Sequence, residues 1–281
     1  MVWELLVVVA LASLIAASIN DLRTREVPDW VSYAGIAAGL GIRLIDAIVY
    51  SDIFIFGSGV LGFAVAWVLG VALFYTGQWG GGDSKVLMAL GALLGGDWDV
   101  LGFQASLLMN LIVVGGMYGL VWMTVLGTRH FRKVKTMACI VRKEERTAGV
   151  AAILGILFCV IVAVVLWDSW YWFPALWAAV LVALTYGLYI GLMAVERVCF
   201  FSWVPATHLV EGDWIVQDVK VRGEYICGRR DLGVSREQIA LLRKAGVKKV
   251  LVRSGIPFVP SFLLALIATL SMGNVLVWVL L

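Results

Sequence analysis

Eight runs of apolar residues constrain the fold of this 281-residue chain more than any other feature. A membrane-spanning helix needs about 20 predominantly apolar residues, and only helices and closed barrels satisfy their backbone hydrogen bonds inside hydrocarbon. Charged residues make up 15% of the chain, well below the roughly 25% of soluble domains. We therefore predict an all-α polytopic membrane protein with about eight transmembrane helices, at residues 2–19, 30–50, 54–76, 84–101, 104–127, 149–167, 173–195 and 257–280.

The distribution of basic residues predicts the orientation of these helices. Cytoplasmic connections carry an excess of Lys and Arg. If the N-terminus lies outside, the cytoplasmic segments hold 21 of the 22 basic residues, and these segments are 20–29, 77–85, 128–148 and 196–256. Arg43 is left over, and we expect its long side chain to extend toward the outer interface. The outer connections carry acidic and tryptophan side chains, namely Asp97, Trp98, Asp99, Trp167, Asp168, Trp170 and Trp172. The prediction is a multi-pass protein of the plasma membrane.

Two carboxylates stand out in a chain so poor in charge. Ionisable residues near a bilayer are costly and are functional candidates by default. Asp21 lies where the first helix meets the cytoplasm, within residues 20–29, and Asp83 follows the glycine run at 80–82. The predicted topology places both at similar depth on the cytoplasmic side.

Peptide hydrolysis without a metal or a nucleophilic side chain needs a base to activate water and an acid to protonate the amide. Two carboxylates held close together supply both, since repulsion between them raises one pKa so that the pair shares a proton. A glycine run lets the backbone approach a substrate and adopt conformations that other residues avoid. The pattern predicts an aspartyl peptidase that uses Asp21 and Asp83 and needs no cofactor or metal.

Structural interpretations of the same residues are also open. Asp21 could end the first helix, and Asp83 could be the N-cap of the fourth. Asp29, the main alternative to Asp21, follows Pro28 and is interpreted as a cap of the second helix. Lys85 is interpreted as an anchor on the cytoplasmic side whose charge could also act on Asp83.

The polar segments in the second half carry no obvious chemistry. The basic segment 128–148 is interpreted as an anchor against anionic headgroups, in preference to a nucleic-acid or substrate site, because it is short and joins two helices. Between residues 205 and 256 the pattern predicts a small α+β insert, with a strand at 214–221, a helix beginning at Ser235 and ending at Gly246, and a strand at 248–252. His130 and His208 are isolated, so a zinc protease is disfavoured.

The motifs around both aspartates resemble the type IV prepilin and preflagellin peptidases, which belong to the GxGD aspartyl proteases. Asp21-Leu22-Arg23 with Val27-Pro28-Asp29 is similar to the first-aspartate segment of that family, and Gly80-Gly81-Gly82-Asp83 with Lys85 is similar to its GxGD-x-K motif. Residues 255–262 resemble the archaeal branch, in which such a segment leads into the last helix. The likeness covers residues 1–100 well and 205–281 more loosely.

The resemblance implies that Asp21 and Asp83 are the catalytic pair, supported by Gly80, Gly82 and Lys85. It implies cleavage of a short basic leader from pilin-like or archaellin-like precursors, at the cytoplasmic face and before the hydrophobic helix of the precursor. Bacterial members often carry a tetracysteine domain and an N-methylating activity. The four cysteines here form no CxxC pair, so we predict no methylation. Residues 128–195 add a loop and two helices to the compact archaeal pattern.

The predicted division of the chain follows from this assignment: a catalytic transmembrane core at 1–127, a basic cytoplasmic loop at 128–148, an additional transmembrane hairpin at 149–195, a cytoplasmic insert at 196–256 and a last transmembrane helix at 257–281.

Three alternative functions remain. A protease like presenilin or signal peptide peptidase is disfavoured because Asn20 rather than tyrosine precedes Asp21, which is predicted to lie at a helix end. The sequence Pro-Ala-Leu at 174–176 also falls on the outer side. A transporter is disfavoured by the lack of an internal repeat, and a structural membrane subunit would tolerate loss of both carboxylates.

Overall fold

A computed structural model describes residues 2–96, 102–221, 223–275 and 277. Each of the eight apolar runs contains a helix within its described residues, which confirms the predicted class. The helices are α1 (Val2–Thr24), α2 (Asp29–Tyr50), α3 (Ile53–Tyr75), α4 (Gly81–Leu94), α5 (Phe103–Arg129), α6 (Phe131–Glu144), α7 (Arg146–Val165), α8 (Trp172–Cys199), α9 (Arg236–Lys244) and α10 (Val259–Met272). The strands are β1 (Phe201–Pro205), β2 (Trp214–Ile215), β3 (Val219–Val221), β4 (Glu224–Cys227) and β5 (Lys249–Arg253).

Among the described residues, six helices are long and apolar enough to cross a membrane, namely α1, α2, α3, α5, α7 and α8. The chain is therefore a multi-pass membrane protein. The fourth and last predicted spans are shorter than expected, because α4 and α10 each have 14 residues. Helix α4 ends at Leu94, before Gly95, whose φ of 77° is unfavourable for a side chain. Asp97, Trp98 and Asp99, predicted to lie in an outer connection, fall outside the described residues.

The chain forms two compact units. The first consists of Met1–Val121 and Gly255–Leu281, and the second of Trp122–Ser254. Both aspartates lie in the first unit, while the basic segment and residues 196–254 of the predicted insert lie in the second. The functional roles assigned to these segments remain predictions.

Glycines allow α4 to pack closely against α2 and α3 in the first unit. A Cβ atom on Gly39 of α2 would lie 2.7 Å from the Leu93 nitrogen. A Cβ on Gly62 of α3 would collide with the Gly91 carbonyl oxygen, and one on Gly91 with that of Gly62. Small residues permit such close approach of helix backbones in membranes. As a result nine of the 14 residues of α4 are buried. This close packing fixes the position of the helix that carries Asp83.

Arg43 is buried inside the protein instead of reaching an exposed interface, so that prediction was wrong. Its side chain is buried, with 7% of its surface exposed. It donates hydrogen bonds to the Ser58 Oγ atom at 2.7 Å and the Leu93 carbonyl oxygen at 3.0 Å. The last carbonyl groups of a helix lack partners within the helix and carry its negative dipole end. Arg43 therefore stabilises the C-terminal end of α4.

Asn110 fastens the end of α10 to α5. Its fully buried amide group donates to the Thr269 Oγ1 atom at 2.9 Å and the Gly273 carbonyl oxygen at 2.6 Å, while its Oδ1 atom accepts from the Val275 nitrogen at 2.9 Å. A buried amide is stable only when its donors and acceptor are paired. This network therefore fixes α10 along its axis.

In the second unit, most of the basic segment is helical, where the sequence predicted a loop. Val141 of helix α6 is completely buried, and the basic residues of the helix are on its exposed side. Apolar residues spaced along one face stabilise such a helix by packing. Glu144 at its end forms an ion pair with Arg197 of α8. Beyond α6, α7 and α8 form a hairpin, and Pro174-Ala175-Leu176 lies in the first turn of α8.

The insert is an α+β structure, as predicted. Strand β5 pairs antiparallel with β1 and β2, and β3 pairs with β4 in a separate hairpin. The predicted helix is confirmed as α9, with the Ser235–Gln238 capping box and a positive φ at Gly246. The predicted strand at 214–221 is divided into β2 and β3, and the sequence analysis missed β1 and β4.

Candidate active site

Asp21 lies on the buried side of α1. The helix buries residues at regular helical spacing, namely Leu6, Ala10, Leu14, Ala17, Ser18 and Asp21. It continues to Thr24, so Asp21 stands inside its last turn rather than beyond its end. The carboxyl group, in a residue 5% exposed, accepts a hydrogen bond from the Val259 backbone nitrogen, 2.9 Å from Oδ2. Val259 is the first residue of α10, whose N-terminal N–H groups carry a partial positive charge that stabilises a carboxylate.

Asp83 is the third residue of α4, and the N-cap is Gly80, so the interpretation of Asp83 as an N-cap is wrong. Its Oδ2 atom accepts a hydrogen bond from the Gly80 nitrogen at 3.2 Å. Burial, and secondly the negative charge of Asp21, raises the pKa of Asp83 to about 7. The carboxyl groups are therefore close enough to interact electrostatically, although they come from separate segments.

Contacts between the flanking segments bring the two aspartates together. A Cβ atom on Gly82 would lie 3.2 Å from the Val27 Cβ atom, so the turn after α1 packs against the start of α4. The Trp79 ring lies 5.9 Å from the Phe258 ring and 5.4 Å from the Phe262 ring, measured between centroids. These contacts join the loop before Asp83 to the segment that binds Asp21.

The glycine run does not adopt the unusual conformations that were predicted for it. Gly80 has a φ of −73°, and neither Gly81 nor Gly82 has a positive φ. The run therefore provides no conformation barred to other residues. At Gly82 the reason for glycine is the close approach of Val27, which leaves little room for a side chain.

Lys85 and Asp29 form an ion pair at 2.6 Å. Asp29 opens α2 as predicted, but the cap position belongs to Pro28. The Lys85 ammonium group also lies 5.6 Å from the centre of the Tyr33 ring, a cation–π contact. The pair therefore links the start of α2 to the start of α4.

We expect Asp29→Asn and Lys85→Met to preserve activity to within a few fold. Their side chains are 59% and 33% exposed, and exposed pairs contribute only about 0–1 kcal/mol. The initial rate of leader cleavage by each purified variant measures the effect. A loss of activity as large as that expected for Asp21→Asn or Asp83→Asn would instead assign Asp29 or Lys85 to the catalytic machinery.

Sequence reasoning missed the Val259 N–H group as a partner of Asp21. A backbone donor has no side-chain signature, and 238 positions separate the two residues. The motif at 255–262 was noticed, but nothing in it indicated which group it would contact. Among the described residues, no group of three His, Cys, Asp or Glu side chains is arranged to hold a metal ion.

Comparison with known proteins agrees with this geometry. Residues 8–125 match the model of the type IV leader peptidase family, and this range contains both aspartates. Over this range the chain is similar to the type IV leader peptidases. Preflagellin peptidases of Methanococcus maripaludis and Methanocaldococcus jannaschii are 33% and 36% identical to it over 87 residues, which is 31% of this chain and 37% of each relative. That of Methanococcus voltae is 29% identical over 86 residues, 31% of this chain and 36% of the relative.

The segment that matches this family model contains both aspartate motifs, on which the predicted resemblance depended. The matched region spans a little over a third of the length of these relatives. The looser likeness at 205–281 lies beyond it and stays a prediction. No solved structure gives a significant match to the chain.

Proposed function

We propose that this protein is a membrane aspartyl endopeptidase that removes short basic leader peptides from pilin-like or archaellin-like precursors. The main support is the juxtaposition of Asp21, which is buried, and Asp83, which is partly buried, two carboxyl groups from separate segments of the region that matches the type IV leader peptidase model. Holding two carboxylates close together away from water is costly, because each charge is desolvated and the two repel each other. The named relatives, all preflagellin peptidases, support the substrate class.

In the proposed mechanism the two carboxyl groups act as a general base and a general acid. The ionised group takes a proton from water, whose oxygen attacks the carbonyl carbon of the scissile peptide. The protonated group then donates its proton to the amide nitrogen as the C–N bond breaks. Asp83, with its raised pKa, is suited to be the acid, and Asp21, which accepts the Val259 N–H group, is suited to be the base.

The proposed site of cleavage is the cytoplasmic face of the membrane. The charge distribution supports an outer N-terminus, which places residues 20–29 and 77–85 on the cytoplasmic side. A precursor whose hydrophobic helix lies in the membrane would present the start of that helix at the cytoplasmic face, at the depth proposed for Asp21 and Asp83.

The native residue Cys139 offers a test of this orientation, because it is exposed on α6 within the predicted cytoplasmic segment. We expect a membrane-impermeant maleimide to label Cys139 in inverted membrane vesicles but not in right-side-out vesicles. Peptide mapping by mass spectrometry identifies the labelled position, and Cys139→Ser is the control. Labelling in right-side-out vesicles alone would reverse the proposed topology.

The activity is tested with the purified full chain, reconstituted in lipid vesicles together with a precursor that carries a basic leader. We expect a shortened precursor whose new N-terminus, read by mass spectrometry, lies just before the hydrophobic helix. A matched precursor whose basic leader residues are replaced by glutamine should be cleaved more slowly. Absence of cleavage for every pilin-like and archaellin-like precursor would contradict the proposed function and favour a transporter.

A further inference from the structure

Ser18 lies on the buried side of α1, one turn before Asp21. Both residues are 5% exposed. Residues three positions apart on a helix are neighbours on one face, with about 5–6 Å between their Cβ atoms. The helical geometry of α1 therefore places the Ser18 hydroxyl group close to the Asp21 carboxyl group.

The Ser18 hydroxyl oxygen is shielded from solvent and has no hydrogen-bond partner among the described residues. A hydroxyl group on a helix can donate to the carbonyl oxygen four residues before it, as Thr269 does to Ala265 in α10. Ser18 makes no such bond with Leu14. A buried hydroxyl group is costly unless it is paired, and alanine at this position would avoid that cost. The unpaired hydroxyl group therefore indicates a small polar partner beside Asp21.

Water is the partner that fits this position. Buried polar groups without a protein partner are paired with ordered water. A carboxylate has about four acceptor sites, so the hydrogen bond from the Val259 N–H group leaves Asp21 able to accept another. Two hydrogen bonds of about 2.8 Å each are long enough to join side chains one helical turn apart through a single water molecule.

We propose that the Ser18 hydroxyl group and the Asp21 carboxylate together bind the water molecule that attacks the scissile peptide. The inference rests on the proposed peptidase function. The water donates one hydrogen bond to Asp21, which takes that proton, and the other to the Ser18 Oγ atom. A lone pair of the water oxygen then forms the bond to the carbonyl carbon, and the carbonyl electron pair moves onto its oxygen.

The reaction ends as that electron pair returns and the C–N bond breaks, while the other carboxyl group protonates the departing nitrogen. Ser18 keeps its own proton throughout. Its contribution is to hold the water in the orientation needed for attack, which lowers the barrier of the chemical step. Loss of the hydroxyl group should therefore lower kcat and leave binding of the precursor unchanged.

The first test compares leader cleavage by the wild type, Ser18→Ala and Ser13→Ala. Ser13 is a partly buried serine on the same helix, more than two turns before Asp21. We expect Ser18→Ala to lower kcat by about 10-fold, the effect of one hydrogen bond, with little change in KM. Ser13→Ala should equal the wild type, and all three proteins should have the same melting temperature.

The second test observes the water directly and does not depend on activity. In high-resolution structures of the full chain in lipid, we expect an ordered water within about 3 Å of the Ser18 Oγ atom and of the Asp21 carboxyl group in the wild type. Ser18→Ala should lack it.

Four results would each overturn the role of Ser18 and leave the peptidase function standing. These are a Ser18→Ala kcat within twofold of the wild type, a raised KM with normal kcat, a water that stays in place in Ser18→Ala, and a Ser18 hydroxyl group bound to a protein acceptor instead of water. No cleavage of any precursor by the wild type would overturn both proposals.

Discussion

Asp21→Asn and Asp83→Asn should each lower kcat for leader cleavage by about 10³-fold, because general acid and base catalysis contributes about 10²–10⁴-fold. Asparagine has nearly the size of aspartate and keeps an oxygen that can accept the hydrogen bond from Val259 or from Gly80. The fold should therefore be retained while the ability to exchange a proton is lost. Initial rates of precursor cleavage by the reconstituted variants measure this effect.

The double variant with Asn at both positions provides a further test of the pair. The effects of substituting groups that act as one unit are not additive. The kcat of the double variant should therefore be close to that of the less active single variant. Asp29→Asn is the matched control, because it removes a carboxylate at the start of α2, in the same compact unit as Asp21 and Asp83. Normal activity in either Asp21→Asn or Asp83→Asn would disprove the assignment of that residue.

Gly62→Ala should lower the free energy of unfolding by about 3 kcal/mol, the upper end of the usual cost of overpacking. The new Cβ atom would collide with the Gly91 carbonyl oxygen and approach the backbone of Gly95. Backbone atoms of a packed helix cannot rotate away as a flexible side chain can, so α3 and α4 must separate. Thermal unfolding of the purified protein in detergent measures the loss, and cleavage should fall as well because α4 carries Asp83.

Gly57 gives a matched control within the same helix. A Cβ at Gly57 meets nothing within 4 Å, and alanine is favoured over glycine inside a helix by about 0.5–1 kcal/mol. Gly57→Ala should therefore be neutral or slightly stabilising. Equal melting temperatures for the two variants would show that close packing at Gly62 is not required.

Features that depend only on residues close together along the chain could be predicted from the sequence. Long apolar runs are sufficient to specify membrane helices, since the backbone has no other way to pair its polar groups in lipid. The capping box of Ser235 and Gln238 joins residues three positions apart, so it too was readable. Asp21 and Asp83 could be singled out because charge is scarce in this chain and costly near a bilayer.

The order of residues alone thus determined the membrane class, the apolar helices, the α+β character of the insert and the two candidate aspartates. Tertiary structure decided which groups meet. The N–H group of Val259 binds Asp21, Lys85 pairs with Asp29, and Arg43 turns inward to the end of α4. Such contacts join groups far apart along the chain, and some involve backbone atoms that every residue possesses. Only the packing of the helices selects one of the many possible partners for each group.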